Sequence, residues 1–241
     1  MKRRFYELYL EVNRREDLEA LVSRIKELGY SGFSLVFRLG KGVKTDLDLV
    51  RLAKDLSSKY GIDFILRGEV ASKSSSEAKR ILRKFRGMFE LISVTPINRE
   101  MTAFSCRDGR IDVITILPSN DVELLRGDLE NLKREGKIVE LLLRPLRESL
   151  KNPSKFYKYF DFYVNTLELL VRKGVKFTLS SGFSSPDEVP DPRSKAALLE
   201  VMGINCELSL DALSRFIEDL VERNRLKLKG LIPVRGVEVV T

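Results

Sequence analysis

Not one histidine occurs among the 241 residues. That excludes Ser-His and Cys-His nucleophile systems and His-ligated metals, and it removes the commonest proton shuttle at neutral pH. Tryptophan and glutamine are also absent. A chain without glutamine and with 32% charged residues fits a protein that works hot, where ion pairs cost less to desolvate. Cys106 and Cys206 lie far apart without CxxC spacing. They read as free thiols of a reducing cytoplasm, and two thiols with no histidine do not make a zinc site. There is no GxGxxG and no GxxxxGK[ST], so dinucleotide and P-loop chemistry have no support. No apolar run reaches the ~18 residues of a membrane span, so no membrane association is expected. The opening "MKRRFYELYLEV" is interrupted by Glu7 and Glu11 and reads as a first strand rather than a signal peptide.

Hydrophobic residues make up 43% of the chain, enough for a real core. Short β-branched or aromatic runs alternate with longer stretches of helical period. The runs are 5–12, 33–38, 63–70, 91–94, 111–117, 137–144, 176–181 and, weakest, "INCEL" at 204–208. Helices are expected over 15–28, 46–59, 75–87, 98–108, 121–135, from near Pro153 to Arg172, 192–202 and 210–225. Asn13 and Ser209 are expected as caps. Eight βα units of about 30 residues predict an α/β fold, a single TIM-like (β/α)₈-type barrel filling 1–241. An open doubly wound sheet is the alternative. The apolar tail 228–241 is expected to dock on the body.

The net charge of +8 is uneven. Residues 67–110 hold ten Lys/Arg and five Asp/Glu, so +5 of the +8 comes from 44 residues. A local excess of this kind suits a polyanion, because each neutralised phosphate releases counterions. The plain alternative is a solvated face of a basic protein. The basic set near the expected C-terminal strand ends and flanking helices comprises Arg38, Lys41, Lys44, Arg67, Arg99, Arg107, Arg110, Arg144, Arg193 and Lys195. Arginine holds phosphate in a bidentate fork and stacks on bases, which grips a backbone without cutting it. Each of these residues, taken singly, also fits a solvated or ion-paired side chain.

Catalytic alternatives find little here. Schiff-base barrels place a lysine within a strand. The expected strands carry lysine only at their starts, Lys137 and Lys176. Glu69, Asp112 and Glu140 lie in or beside strands, where they fit either an all-oxygen Mg²⁺ site or ion pairs with Arg67, Arg110 or Arg144. Ser180, Ser181 and Gly182 end the seventh strand and would hold a phosphate if the chain were a barrel enzyme acting on a small phosphorylated substrate. A protein scaffold with incidental charge is the third reading.

The stretch "TLSSGFSSPDEVPDPRSKAALLEVMGI" resembles the ribonuclease P protein component 3 family: Ser180-Ser181-Gly182, a loop, Arg193-Ser194 opening a helix, then Leu199 and Gly203. "LGYSGFSLV" (28–36), "RDGRIDVITI" (107–116), "VELLLRPL" (139–146) and "PVRGVEVV" (233–240) are similar to other family segments in the same order. The resemblance implies a barrel subunit of a tRNA 5′-processing ribonucleoprotein in which the RNA is the catalyst and carries Mg²⁺. No cofactor would be bound by the chain itself and no independent activity is expected. The implied partners are ribonuclease P RNA, ribonuclease P protein component 2 and, through the complex, precursor tRNA. The family also resembles histidine-rich phosphoesterase barrels, whose histidines are all missing here. The acidic loop 183–192 (Asp187, Glu188, Asp191) departs from what a phosphate site at Ser180 and Ser181 needs. These serines equally fit backbone satisfaction or a partner contact.

Overall fold

The computed structural model describes residues 3–12, 14–40, 46–120 and 122–231. Seven strands, β1 (Tyr6–Leu10), β2 (Gly32–Leu39), β3 (Asp63–Val70), β4 (Leu91–Val94), β5 (Val113–Ile116), β6 (Ile138–Leu142) and β7 (Lys176–Ser180), lie side by side in chain order, all neighbours parallel. Such a sheet needs crossover helices on its outer face, and the sequence supplies them. These are α1 (Asp17–Glu27), α2 (Leu47–Tyr60), α3 (Ser75–Phe85), α4 (Arg99–Arg107), α5 (Arg126–Glu135), α6 (Leu143–Ser149), α7 (Pro153–Lys173), α8 (Pro192–Val201), α9 (Cys206–Ala212) and α10 (Arg215–Leu228). Their starts are chemically marked. Asp46, Ser74, Asn98 and Asn152 each accept a backbone N–H from the first turn of the helix that follows. α7 carries Pro153 at its first position and ends at Gly174, whose left-handed φ of 66° suits glycine.

The described residues form seven strands, not eight. Residues 204–208 are not a strand: Asn205 accepts the Leu208 N–H (2.9 Å) and opens α9. The apolar alternation of Ile204, Cys206 and Leu208 suggested extension, but the cap and the later helical spacing prevail. Ser209, expected as a cap, is buried inside α9. The seam between β7 and β1 is bridged by chain continuing past β7, where Gly182 donates to Tyr9 O (3.1 Å) and Glu11 donates to Phe183 O (3.3 Å). At the other end of β1, Tyr6 donates to Leu213 O (3.1 Å). These bonds make a nearly closed barrel and set aside the open sheet. β6 also ends earlier than expected, since Leu143 and Arg144 begin α6. Asn13, Lys41, Lys44 and the tail beyond 231 lie outside the described residues.

α10 does not flank the barrel. It crosses the mouth at the N-terminal strand ends. Its Ile217, Leu220 and Val221 pack with Tyr6, Leu8, Ile65, Leu91, Val113 and Ile138 from the strand starts. Around this plug, Asn224 donates to Glu90 O (2.9 Å) and Arg225 forks onto Asp63 (2.8 and 2.9 Å). Leu220→Ala therefore leaves a void under the whole barrel floor. A loss of about 2–5 kcal/mol in denaturant unfolding is expected. A loss below ~1 kcal/mol would mean that the mouth is not sealed by this residue.

Candidate nucleic-acid interface

Side chains alternate along a strand, so Ile65, Arg67 and Glu69 of β3 all face the barrel interior, one above the other. The floor is apolar and the layer above it is ionic. Arg67 has no exposed surface, and all five of its N–H donors are engaged. Nε binds Ser93 Oγ (2.9 Å), Nη1 binds Leu8 O (2.8 Å) and Glu140 Oε1 (2.8 Å), and Nη2 binds Thr115 Oγ1 (3.1 Å) and Glu140 Oε2 (2.6 Å). The Tyr9 ring lies 4.8 Å from its guanidinium carbon. Burial pushes the Glu140 carboxyl up, but the Arg67 charge and the hydroxyls of Ser180 and Thr115 outweigh burial, and the group sits below the usual carboxylate range.

This network relocates the expected phosphate site. Ser180 donates to Glu140 (2.6 Å), and the Ser181 hydroxyl lies 3.4 Å from Tyr9 O. Both serines are buried. They satisfy the barrel's interior and offer nothing to a ligand. Lys195 is the second relocation. It is buried on α8 against Glu7 (2.9 Å), with the Tyr30 ring 5.0 Å from its ammonium nitrogen. Arg67 and Lys195 therefore leave the set of surface cations that sequence reasoning assembled. Their charge was legible, but their burial was not.

The remaining arginines split between two ends. A helix that follows a parallel strand starts at the strand's C-terminal end. Arg38, Arg99, Arg144 and Arg193 thus ring one mouth, while Arg107 and Arg110 sit at the other. Arg38 and Arg144 share Glu11 (3.4 and 3.2 Å), Arg144 also holds Glu148 (2.9 Å), Arg99 pairs with Asp128, and Arg110 with Asp108 (2.6 Å). Arg107 and Arg193 are exposed and make no ion pair among the described residues. The three strand carboxylates are also accounted for. Glu140 holds Arg67. Asp112 accepts the Ile92 N–H (2.8 Å) and faces Arg86, not Arg110. Glu69 accepts from Thr95 (2.6 Å) and Tyr9 (3.3 Å). No group of three such side chains among the described residues could hold a metal ion. Lys137 is no Schiff-base candidate at the mouth. It is buried at the barrel's other end, where it donates to Ser105 O (2.7 Å) and Asp108 O (2.6 Å), and burial pushes its ammonium down to about 8.

A face the basic set omitted lies on α3. Ala78, Ile81, Leu82 and Phe85 are buried, which turns Lys79, Arg80, Arg83 and Lys84 outward. These four make no ion pair among the described residues. The one acid of the helix, Glu77, is engaged with the Ser72 hydroxyl (3.0 Å). Lys79 lies over the Phe104 ring of α4 (5.8 Å) and Lys84 over Phe85 (4.9 Å), so aromatic faces hold these cations in place. Four residues of helix rise about 6 Å. The cations thus form a stripe along the barrel wall, with exposed Arg107 on the neighbouring helix. The signal was in the sequence, as the 79, 80, 83, 84 spacing opposite an apolar stripe.

The model of the RNase P subunit p30 family matches residues 4–229. Ribonuclease P protein component 3 of Methanosarcina mazei is 25% identical over 209 residues, which span 86% of this chain and 84% of the relative. That of Methanosarcina barkeri is 23% identical over 209 residues with the same coverage. A chain of the cryo-EM structure of archaeal ribonuclease P with mature tRNA shares the fold at a TM-score of 0.80 and 16% identity, with 98% of each chain covered. The crystal structure of A. niger ochratoxinase shares it more loosely, at a TM-score of 0.59 and 10% identity over 91% of this chain and 71% of that one.

Proposed function

The chain belongs to the RNase P subunit p30 family, and from that membership we propose that it is a protein subunit of ribonuclease P, gripping the catalytic RNA while the RNA removes the 5′ leader of precursor tRNA. The observation that carries the electrostatic part is the α3 stripe: four outward cations with no ion pair among the described residues. Cations already held by carboxylates must give up those partners before they meet phosphate. Unpaired ones need not, and each that neutralises a phosphate releases a counterion. The barrel interior points the same way. Its Arg67 and Glu140 are spent on each other, so the layer around them serves as a stiff support.

In this reading the second protein at the RNA is ribonuclease P protein component 2, and Mg²⁺ is carried by the RNA. The subunit works in the cytoplasm, and no helix among the described residues is long and apolar enough to cross a membrane. The rival reading, a barrel enzyme for a small phosphorylated substrate, loses its phosphate-binding serines to the Glu140 network and the Tyr9 carbonyl.

Reconstitution tests the proposal. Adding the chain together with component 2 is expected to lower the Mg²⁺ concentration at which the RNA reaches half-maximal cleavage of precursor tRNA, while the chain alone cleaves nothing. An unmoved Mg²⁺ requirement, or cleavage at the mature 5′ end by the protein alone, overturns it.

A further inference from the structure

Glu69 stands apart from the other buried carboxylates. It is 7% exposed, yet it makes no ion pair among the described residues. Its two hydrogen-bond donors, Thr95 and Tyr9, are neutral. The nearest buried cation, Arg67, has every donor committed elsewhere. Each Glu69 oxygen keeps a free lone pair. Further N–H donors that meet these lone pairs would be stabilised by the charge of the carboxylate.

Something can reach it. Glu69 lines a cleft of about 640 Å³ at the C-terminal mouth of the barrel. Val70, Ala71, Ile97 and Leu117 give the cleft apolar walls, and its charged lining besides Glu69 is Glu77, tied to the Ser72 hydroxyl, Arg38, paired with Glu11 (3.4 Å), and Lys73, which makes no ion pair among the described residues. Both Lys73 and Ile97 are exposed, Ile97 by 46%. The ligand chemistry follows from the three parts. The carboxylate requires N–H donors, the apolar walls suit a flat ring, and Lys73, without an ion pair among the described residues, is free to meet an anion.

A nucleotide has all three parts. Among the bases, guanine alone presents two adjacent N–H donors, N1 and N2, on its Watson–Crick edge, matched to both oxygens of one carboxylate. Adenine, cytosine and uracil each set an acceptor beside their donor, which a carboxylate repels. Unpaired bases of RNA are read on this edge when splayed out of the stack. We infer that the barrel mouth binds one unstacked guanine nucleotide, with Glu69 on its N1–H and N2–H and with Lys73 at its phosphate. This rests on the RNA-subunit reading and names a base that the subunit would take.

The test is calorimetric titration of the full chain with GMP, AMP, CMP and UMP. GMP is expected to bind at least about tenfold more tightly than the other three, as a bidentate contact implies. Glu69→Gln, which keeps the shape and loses the charge, is expected to weaken GMP by about tenfold or more. Ile97→Asp, on the exposed wall, should weaken it too while leaving the thermal midpoint unchanged. Both variants should weaken binding of the ribonuclease P RNA by no more than they weaken GMP, and they should leave the slope of log affinity against log salt unchanged, since that slope rests mainly on the α3 stripe. Absence of salt-dependent affinity for that RNA in the unmodified chain would sink the RNA reading instead. The inference itself is overturned by absent GMP binding, by equal binding of all four nucleotides, by indifference to Glu69→Gln, or by N-acetylarginine amide occupying the cleft where GMP does not.

Discussion

Glu140→Ala is expected to cost about 3–5 kcal/mol of folding stability, among the largest single-residue effects in the chain, because it leaves the Arg67 guanidinium buried with no counter-charge. The change also removes the acceptor for Ser180 and one of the two acceptors held by Nη1. Replacing both partners with apolar groups, as in Arg67→Met with Glu140→Leu, should recover most of the loss, since desolvating the pair offsets much of its attraction. Chemical denaturation of the two singles and the double measures this. If the double is as unstable as Glu140→Ala, packing and not charge explains the site. The pH dependence follows from linkage. Glu140 sits below its ordinary value of 4.5 in the folded barrel. It therefore contributes stability that is complete above about pH 4.5 and is lost as pH falls through the lower, folded value. The Glu140→Leu/Arg67→Met pair should flatten that acid limb.

The second large effect is on binding. The combined variant Arg80→Ala, Arg83→Ala, Lys84→Ala and Arg107→Ala should weaken binding to the ribonuclease P RNA by roughly a hundredfold or more near physiological salt. It should also reduce the slope of log affinity against log salt by about 3 to 4, one per lost phosphate contact. These side chains are exposed, so unfolding stability should move by less than about 0.5 kcal/mol. Anisotropy titrations at four salt concentrations give both quantities. A parallel variant of the mouth arginines, Arg38→Ala, Arg144→Ala and Arg193→Ala, provides the contrast. Two of these leave a carboxylate neighbour behind, so their removal should change the slope by less. If the mouth variant loses the slope and the α3 variant keeps it, the grip is at the barrel mouth and not along its wall.

Much of this molecule could be read along the chain. Helix caps at Asp46, Ser74, Asn98 and Asn152 act over three residues, and strand and helix periods act over five to ten. The βα alternation, the barrel class and the outward turn of Lys79, Arg80 and Arg83 were therefore visible locally. The lack of histidine removed whole classes of catalysis with no structure needed. The expected eighth strand is a helix for a reason that is also local: Ile204, Cys206 and Leu208 alternate, but Asn205 caps the first turn of α9.

What the chain could not say was which charges are spent. Arg67 and Glu140 are 73 positions apart, and Glu7 and Lys195 are 188 apart. Along the chain, Arg67 fits an RNA contact or an ion pair with a strand carboxylate, Lys195 an RNA contact or a solvated side chain, and Ser180 a phosphate ligand or a partner for backbone groups. Barrel closure brings Arg67 and Ser180 to Glu140, because every second side chain of the strands points to one axis, and the packing of α8 on the sheet brings Lys195 to Glu7. Composition determined that this protein carries excess positive charge and lacks the groups for histidine chemistry. Only the folded barrel decided which cations remain free to meet a polyanion, because ion pairing depends on distance in space and desolvation on depth, and neither is set by neighbours along the chain.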